Sequence, residues 1–252
     1  MSLSFLARSG KPAIAYRKQE GANAALPTVV FLTGFRSDMD GTKAVYLEGH
    51  CAGQGQSFLR FDYSGHGKSE GAFEDGTIGK WRDDALEVID RLTDGPLVLV
   101  GSSMGGWIGL LCALARPERV RGFVGLAAAP DFTRWMKAGM TAEQERMMGR
   151  DGYFPLPSGY EDGDYKITAA LLEDGEENCL LDAPIDLSCP VRLVQGIKDD
   201  AVPWQTAEKI AALITGTDKK VLLREEGDHR LSTSEDLALI AALTDEVSGL
   251  IG

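Results

Sequence analysis

Histidine, cysteine and positive charge are all scarce in this chain of 252 residues. There are three histidines and four cysteines, and no two cysteines have the C-x-x-C spacing typical of zinc or redox sites. Only 26 basic residues accompany 38 acidic ones, giving a net charge of −12 that repels phosphate backbones and anionic lipid. These shortages argue against a metal centre, a nucleic-acid partner and a membrane-surface role, and they favour free thiols.

Charged side chains are absent from residues 95–115, a stretch long enough to cross a membrane by length alone. A glycine-rich turn at 101–106 interrupts it, with a β-rich run before and helix-forming residues after. This pattern indicates a strand, a turn and a buried helix, so no membrane span is predicted. The N-terminal residues resemble neither a secretory signal nor an Arg- and Ser-rich transit segment, which predicts a cytoplasmic location.

Short apolar runs alternate with amphipathic stretches along most of the chain. This alternation is typical of an α/β fold, with a mostly parallel twisted sheet and helices on both faces. After an opening hairpin, the predicted strands are Thr28–Thr33, Ser57–Tyr63, Leu97–Gly101, Gly122–Ala127, Val191–Gly196 and Val221–Arg224. The predicted helices are Ile78–Arg91, Met104–Ala115, Thr206–Ile214 and Glu235–Ser248.

Residues 131–188 break this rhythm. The stretch combines methionine and aromatic side chains with thirteen acidic and only five basic residues between 131 and 186. An insert of this length exceeds a simple connection between strands. We therefore predict one domain, 1–252, with a helical cap inserted at about 131–188. Its apolar side chains are expected either to line a substrate pocket or to form the cap's own core.

A candidate nucleophile lies at the centre of Gly101-Ser102-Ser103-Met104-Gly105, which matches the pattern G-x-S-x-G. A strand before and a helix after would set Ser103 on a strained turn at the carboxyl edge of the sheet. A serine hydroxyl needs a base to become nucleophilic. His229 follows the last predicted strand and suits this role, whereas His66 is expected to shape a loop and His50 to be a surface or packing residue.

The acid that orients the base should follow a strand between Ser103 and His229. Asp199 is our prediction, with its neighbour Asp200 and the more distant Asp131 as alternatives. The carboxylate would hold the imidazole tautomer and stabilise the imidazolium. For the oxyanion hole we expect the backbone N–H groups of Met104 and Phe35.

Nucleotide binding is not supported by the glycine patterns. Gly67-Lys68-Ser69 matches the end of a P-loop, but Asp62 occupies the position where that motif needs its first glycine. The acidic, cysteine and histidine residues also lack the spacing of a zinc site. The sequence thus predicts neither a metal nor a cofactor.

Over essentially its whole length the chain resembles the α/β-hydrolase family. The motifs that carry the resemblance are Thr33-Gly34-Phe35, Asp62-Tyr63-Ser64-Gly65-His66-Gly67, the Ser103 turn, Gly196-x-x-Asp199-x-x-Val202-Pro203 and Gly227-Asp228-His229. Within the family, Gly79-Lys80-Trp81-Arg82, Gly105-Gly106-Trp107 and Lys198-Asp199-Asp200-Ala201-Val202-Pro203-Trp204 are similar to the mitochondrial palmitoyl-protein thioesterase group, also described as mycophenolic acid acyl-glucuronide esterases.

The resemblance implies a serine hydrolase with Ser103, Asp199 and His229 as its triad. Its substrate would be a small-molecule or acyl-protein ester or thioester. The alternative is a binding or receptor module that keeps the fold with a slow or idle triad, because a fold does not fix a function. The sequence predicts neither the acyl-chain length nor the oligomeric state.

Overall fold

The computed structural model describes residues 1–156 and 164–251. The strands in this part are β1 (Ser4–Leu6), β2 (Ile14–Gln19), β3 (Thr28–Leu32), β4 (Phe58–Phe61), β5 (Leu97–Ser102), β6 (Val120–Leu126), β7 (Tyr153–Leu156), β8 (Tyr165–Thr168), β9 (Val191–Gly196) and β10 (Lys219–Arg224). The helices are α1 (Thr42–Gly53), α2 (Ile78–Leu92), α3 (Met104–Ala115), α4 (Phe132–Ala138), α5 (Ala142–Asp151), α6 (Ala169–Glu177), α7 (Gln205–Leu213) and α8 (Ser234–Gly249).

Eight of these strands form one sheet in the order β1–β2–β4–β3–β5–β6–β9–β10. β2 pairs antiparallel with β1 and β4, and every later neighbour in the order is parallel. The mostly parallel sheet predicted from the sequence is therefore confirmed. Since parallel strands end at one edge, the loops after β3, β5, β9 and β10 all emerge at the same side of the molecule.

Alternating side chains of the central strands enter two separate cores. Val30 and Leu32 of β3 pack into the cluster that contains Trp81 of α2 and Ile108 of α3. Val29 and Phe31, which alternate with them along the strand, belong to the opposite cluster with side chains of α1 and α8. This period of two is the geometry of a pleated strand buried on both faces, so helices cover both sides of the sheet as predicted.

The segment between β6 and β9 contains the helices α4, α5 and α6, in line with the predicted helical insertion. It also contains the antiparallel pair β7–β8, which the sequence did not predict. The segment is attached to the main sheet layer by Trp107, whose indole N–H donates to the carbonyl oxygen of Asn178 at 3.0 Å, and by the N–H of Gly79, which donates to Asp174 at 2.7 Å. The domain boundaries, 1–252 with a cap at about 131–188, stay a prediction.

None of the helices in the described ranges combines the length and the apolar character that a membrane crossing needs. Residues 95–115 instead form β5, the turn and α3, as the glycine-rich motif predicted.

Candidate active site

Ser103 lies between the last residue of β5 and the first residue of α3, with φ 55° and ψ −119°. This region of backbone space is strained for any residue with a side chain. The neighbouring glycines make the turn possible because other backbone groups fill the space beside them. A Cβ on Gly101 would lie 2.3 Å from the carbonyl oxygen of Gly105, and a Cβ on Gly105 would lie 2.1 Å from that of Leu32.

His229 is placed within reach of both the serine and the acid. Its Nε2 is 3.1 Å from Oγ of Ser103, and its Nδ1 is 2.8 Å from Oδ2 of Asp199. Ser103 follows β5, Asp199 follows β9 and His229 follows β10, so all three lie at the carboxyl edge of the sheet. This edge brings His229 close to Ser103, which is 126 positions away in the chain, and to Asp199, which is 30 positions away. Nδ1 carries the proton donated to the carboxylate, which leaves the Nε2 lone pair directed at the serine hydroxyl.

The Asp199 side chain is fully shielded from solvent, and donors surround both of its oxygens. Oδ1 accepts the backbone N–H groups of Ala201 and Val202 at 2.9 and 2.8 Å, and Oδ2 also accepts the side-chain amide of Gln195 at 2.7 Å. Burial by itself raises the pKa of Asp199, but the hydrogen bonds from His229 and the two amides outweigh it. The pKa of this carboxyl is therefore below its ordinary value.

The two alternative acids have different surroundings. Asp200 is exposed. Asp131 is buried, and its carboxylate accepts the backbone N–H groups of Leu180 and Leu181 at 2.8 and 2.9 Å, which closes the base of the insertion. Asp199 is therefore the carboxylate that contacts His229, whereas the carboxylate of Asp131 binds backbone N–H groups of the insertion.

The other two histidines have partners outside this cluster. Nε2 of His50 is 2.9 Å from the carboxylate of Asp245 on α8. His66 is buried, and its Nε2 accepts the backbone N–H of Arg36 at 3.3 Å, in agreement with the loop-shaping role predicted for it. Burial lowers the pKa of His66 to about 4.

The backbone N–H groups of Phe35 and Met104 make no hydrogen bond within the described part of the chain. Met104 directly follows Ser103, and a Cβ on Gly34 would lie 3.4 Å from Cβ of Ser103, so the Phe35 loop packs against the turn. Unpaired backbone donors in a folded interior are rare. Two of them beside a strained serine form a site where an oxyanion can be stabilised.

Two cavities meet at Ser103 and His229. One of about 210 Å³ is apolar and is lined by Phe132, Trp135 and Met136 of the insertion together with Val202. The other, of about 550 Å³, is lined by polar and cationic residues. Met140, Met147 and Met148 are partly buried against the core, so the insertion's apolar residues divide between a pocket wall and packing. The sequence did not predict the polar cavity, because its lining comes from loops far apart in the chain.

The strained serine, the imidazole and the buried carboxylate at one sheet edge define an enzyme-like site on an α/β sheet. A model of the α/β hydrolase fold family matches residues 27–158, and the chain belongs to the α/β-hydrolase family.

Similar proteins extend this result over the whole chain. The human protein named palmitoyl-protein thioesterase ABHD10, mitochondrial, is 42% identical over 247 residues, which cover 98% of this chain and 80% of the relative. The structure of alpha/beta hydrolase domain-containing protein 10 from mouse covers all of both chains with a TM-score of 0.91 and 39% identity. A bacterial structure from Agrobacterium vitis S4 covers 98% of both chains with a TM-score of 0.92 and 37% identity.

Five mammalian relatives at 39–42% identity carry the word mitochondrial in their names. This finding contradicts the cytoplasmic location predicted from the N-terminal residues, and that prediction is wrong. The prediction rested only on the composition of the N-terminal residues, which the fold of the domain does not determine.

Proposed function

We propose that this protein is a serine hydrolase that cleaves acyl thioesters or esters through an acyl-enzyme on Ser103. The observation that carries the proposal is the chain of two short contacts from Ser103 through His229 to Asp199, at 3.1 and 2.8 Å. The names of the mammalian relatives support a thioester as the substrate.

In the first half of the reaction, Nε2 of His229 takes the proton of the Ser103 hydroxyl while Oγ attacks the acyl carbonyl carbon. Asp199 stays ionised and stabilises the imidazolium without taking its proton. The N–H groups of Phe35 and Met104 donate to the oxyanion of the tetrahedral intermediate. The imidazolium then protonates the departing thiolate or alkoxide, and the carbon–sulfur or carbon–oxygen bond breaks.

In the second half, His229 removes a proton from water, and the resulting hydroxide attacks the acyl carbon of the ester on Ser103. The same two N–H groups hold the second oxyanion. His229 returns the proton to Oγ, the acid product leaves, and the enzyme is regenerated. No residue changes its net protonation over the cycle.

The small apolar cavity is the proposed acyl site. Phe132, Trp135 and Met136 can surround a hydrocarbon chain whose carboxyl carbon lies at Ser103. Apolar burial of this kind favours longer acyl chains until the cavity is full. In this arrangement the insertion functions as a cap over the nucleophile.

A fluorophosphonate probe tests the proposal because it reacts only with an activated serine. We expect one label per chain, found on Ser103 by peptide mapping, and turnover of an octanoyl thioester that Ser103→Ala abolishes. Ser102→Ala is the matched control, since Ser102 is the adjacent serine at the end of β5. Labelling of Ser102 would contradict the assignment of Ser103 as the nucleophile, and no label together with no turnover would support the binding module with an idle triad.

A further inference from the structure

The larger cavity at Ser103 has a charge opposite to that of the whole protein. Arg36, Lys43 and Arg230 line it, and Asp38 is the one carboxylate among its lining residues in the described ranges. The chain as a whole has a net charge of −12. A local excess of positive charge in a strongly acidic protein attracts an anion to this side of the nucleophile.

Arg36 is held in a defined position. Its backbone has φ 56°, a left-handed conformation that costs free energy for a residue with a side chain, and its N–H donates to the buried His66. Its guanidinium carbon lies 4.7 Å from the ring centroid of Phe73 and 4.3 Å from that of Tyr165. Tyr165 belongs to β8 of the insertion, so this contact joins the insertion to the loop beside the nucleophile.

The guanidinium has no carboxylate partner within the ranges the structure describes, whereas most arginines there form ion pairs. Aromatic rings interact with the flat faces of a guanidinium, and its five N–H donors lie in its plane. Contact with two rings therefore orients Arg36 and leaves its donors available to a ligand. A planar fork of this kind fits the two oxygens of a carboxylate or phosphate.

The other charged residues of the cavity, Lys43, Asp38 and Arg230, each have a partner within the protein. The Lys43 ammonium donates to the backbone carbonyl of Arg230, and burial lowers the pKa of Lys43 to about 8, an effect that Asp228 partly offsets. The Asp38 carboxylate accepts the backbone N–H of Asp40 at 2.8 Å. Arg36 is thus the cation best placed to bind an anion that enters beside Ser103.

We propose that the larger cavity binds an oxyanion group, a carboxylate or a phosphate, on the leaving-group side of the substrate, and that Arg36 determines this specificity. The inference rests on the proposed hydrolase function. Because an apolar acyl chain fits the smaller cavity, the alcohol or thiol portion of the substrate is left to occupy the larger one. The protein would then prefer acyl compounds whose leaving group carries a negative charge.

Two matched pairs of octanoyl thioesters test this specificity. The first pair is the thioester of 3-mercaptopropionate and that of its neutral methyl amide. The second is the thioester of 4′-phosphopantetheine and that of pantetheine. The measured quantity is the ratio of kcat/KM for the anionic substrate to kcat/KM for its neutral partner. Because both members of a pair carry the same acyl group, an effect of a substitution on the reactivity of Ser103 cancels in this ratio.

The unmodified protein should prefer the anionic member of at least one pair. The pair that shows the preference identifies whether the cavity binds a carboxylate or a phosphate. Arg36→Met should lower that ratio by about ten- to a hundredfold, the effect of losing one charge-assisted hydrogen bond. Arg36→Lys keeps the charge without the fork and should lower it less. If Arg36→Met does not fold, Arg36→Lys serves as the test. Fluorophosphonate labelling of Ser103 reports whether each variant is folded.

Arg146→Met is the matched control. Arg146 lies on the exposed face of α5, paired with Glu143, and its replacement makes the same change in net charge. The ratio should stay at the value of the unmodified protein. This inference alone would be overturned if Arg36→Met left the ratio unchanged. It would also be overturned if the unmodified protein cleaved the neutral thioesters but had a ratio no greater than one. Failure to cleave any of the four would overturn the proposed function itself.

Discussion

At the scale of single residues, Asp199 shows how burial and hydrogen bonding together fix the role of a side chain. Four donors surround its carboxylate. Burial raises its pKa, but the hydrogen bonds from His229 and from the backbone of Val202 and Ala201 hold the pKa below the ordinary value. The carboxylate therefore stays charged at neutral pH, and it accepts the Nδ1 proton of His229. The tautomer of His229, and with it the lone pair on Nε2 that faces Ser103, depends on this contact.

We predict that Asp199→Asn lowers kcat by as much as ~10⁴-fold, because an amide can donate to Nδ1 and select the wrong tautomer. Steady-state hydrolysis of a p-nitrophenyl ester measures the loss. Asp200→Asn changes the adjacent, exposed carboxylate and should lower kcat little, while Asp131→Asn should lower thermal stability more than kcat. Similar losses of kcat at Asp199 and Asp200 would contradict the assignment.

His66 leads to a second prediction, on the pH dependence of stability. Its pKa is about 4 in the folded protein, against an ordinary value of 6.5, because it is buried beside Arg36. Between these two values the unfolded chain binds a proton that the folded chain does not, so the free energy of unfolding falls as the pH falls from 6.5 to 4. Full loss of this contribution amounts to about 3 kcal/mol.

Urea unfolding at pH 7 and pH 4.5 measures this difference. In the His66→Gln variant, which has an acceptor but no imidazole, stability should depend less on pH over this interval. An equal acid-induced loss in the His66 variant and the unmodified protein would mean that other groups cause it.

At the scale of elements, the turn between β5 and α3 depends on two glycines that are necessary for steric reasons. We predict that Gly105→Ala strongly lowers both stability and kcat, since its Cβ would lie 2.1 Å from a backbone oxygen that cannot move alone. Thermal unfolding and ester hydrolysis measure the two effects.

Gly49→Ala is the matched control for this prediction. Gly49 lies inside α1 with nothing within 4 Å of its added Cβ, so alanine should stabilise the helix by about 0.5–1 kcal/mol. A Gly105→Ala variant that gains stability in the same way would show that the turn has room for a methyl group.

The sequence predicted most elements of the sheet because their signals are local. Val191–Gly196 and Met104–Ala115 have the predicted ends, and the expected strand Ser57–Tyr63 is shorter in the structure, Phe58–Phe61. The pair β7–β8 gave no such signal, since each strand has four residues and one contains Pro155. Short strands of this kind depend on pairing with each other.

The same distinction between local and distant signals applies to the candidate site. Ser103 and His229 lie in recognisable motifs, in the segments that follow β5 and β10, so chain order was enough to predict them. Arg36 gave no signal, because its conformation and its contacts with Phe73 and Tyr165 exist only after the insertion has packed against the sheet edge.

At the scale of the whole molecule, the sheet edge and the insertion together divide the space around Ser103 into an apolar and a cationic side. The aromatic ring of Phe35 contacts that of Phe132 on α4, with ring centroids 5.4 Å apart, and Phe35 lines both cavities. A substrate bound across this division would have its acyl chain on one side and its leaving group on the other, with the carbonyl at the N–H groups of Phe35 and Met104.

This division predicts how activity depends on acyl-chain length. Each methylene buried in the apolar cavity should contribute about 0.8 kcal/mol, or roughly a fourfold rise in kcat/KM. For p-nitrophenyl esters, kcat/KM should therefore rise from acetate through medium chains and become constant once the cavity of about 210 Å³ is full.

Met136→Ser places a hydroxyl in the wall of that cavity and should flatten the rise. Met147→Ser changes a cap methionine that packs against the core, and it should lower stability while the chain-length profile keeps its slope. Faster cleavage of acetate than of octanoate by the unmodified protein would contradict the apolar cavity as the acyl site, because a chain bound there gains free energy with every methylene it buries.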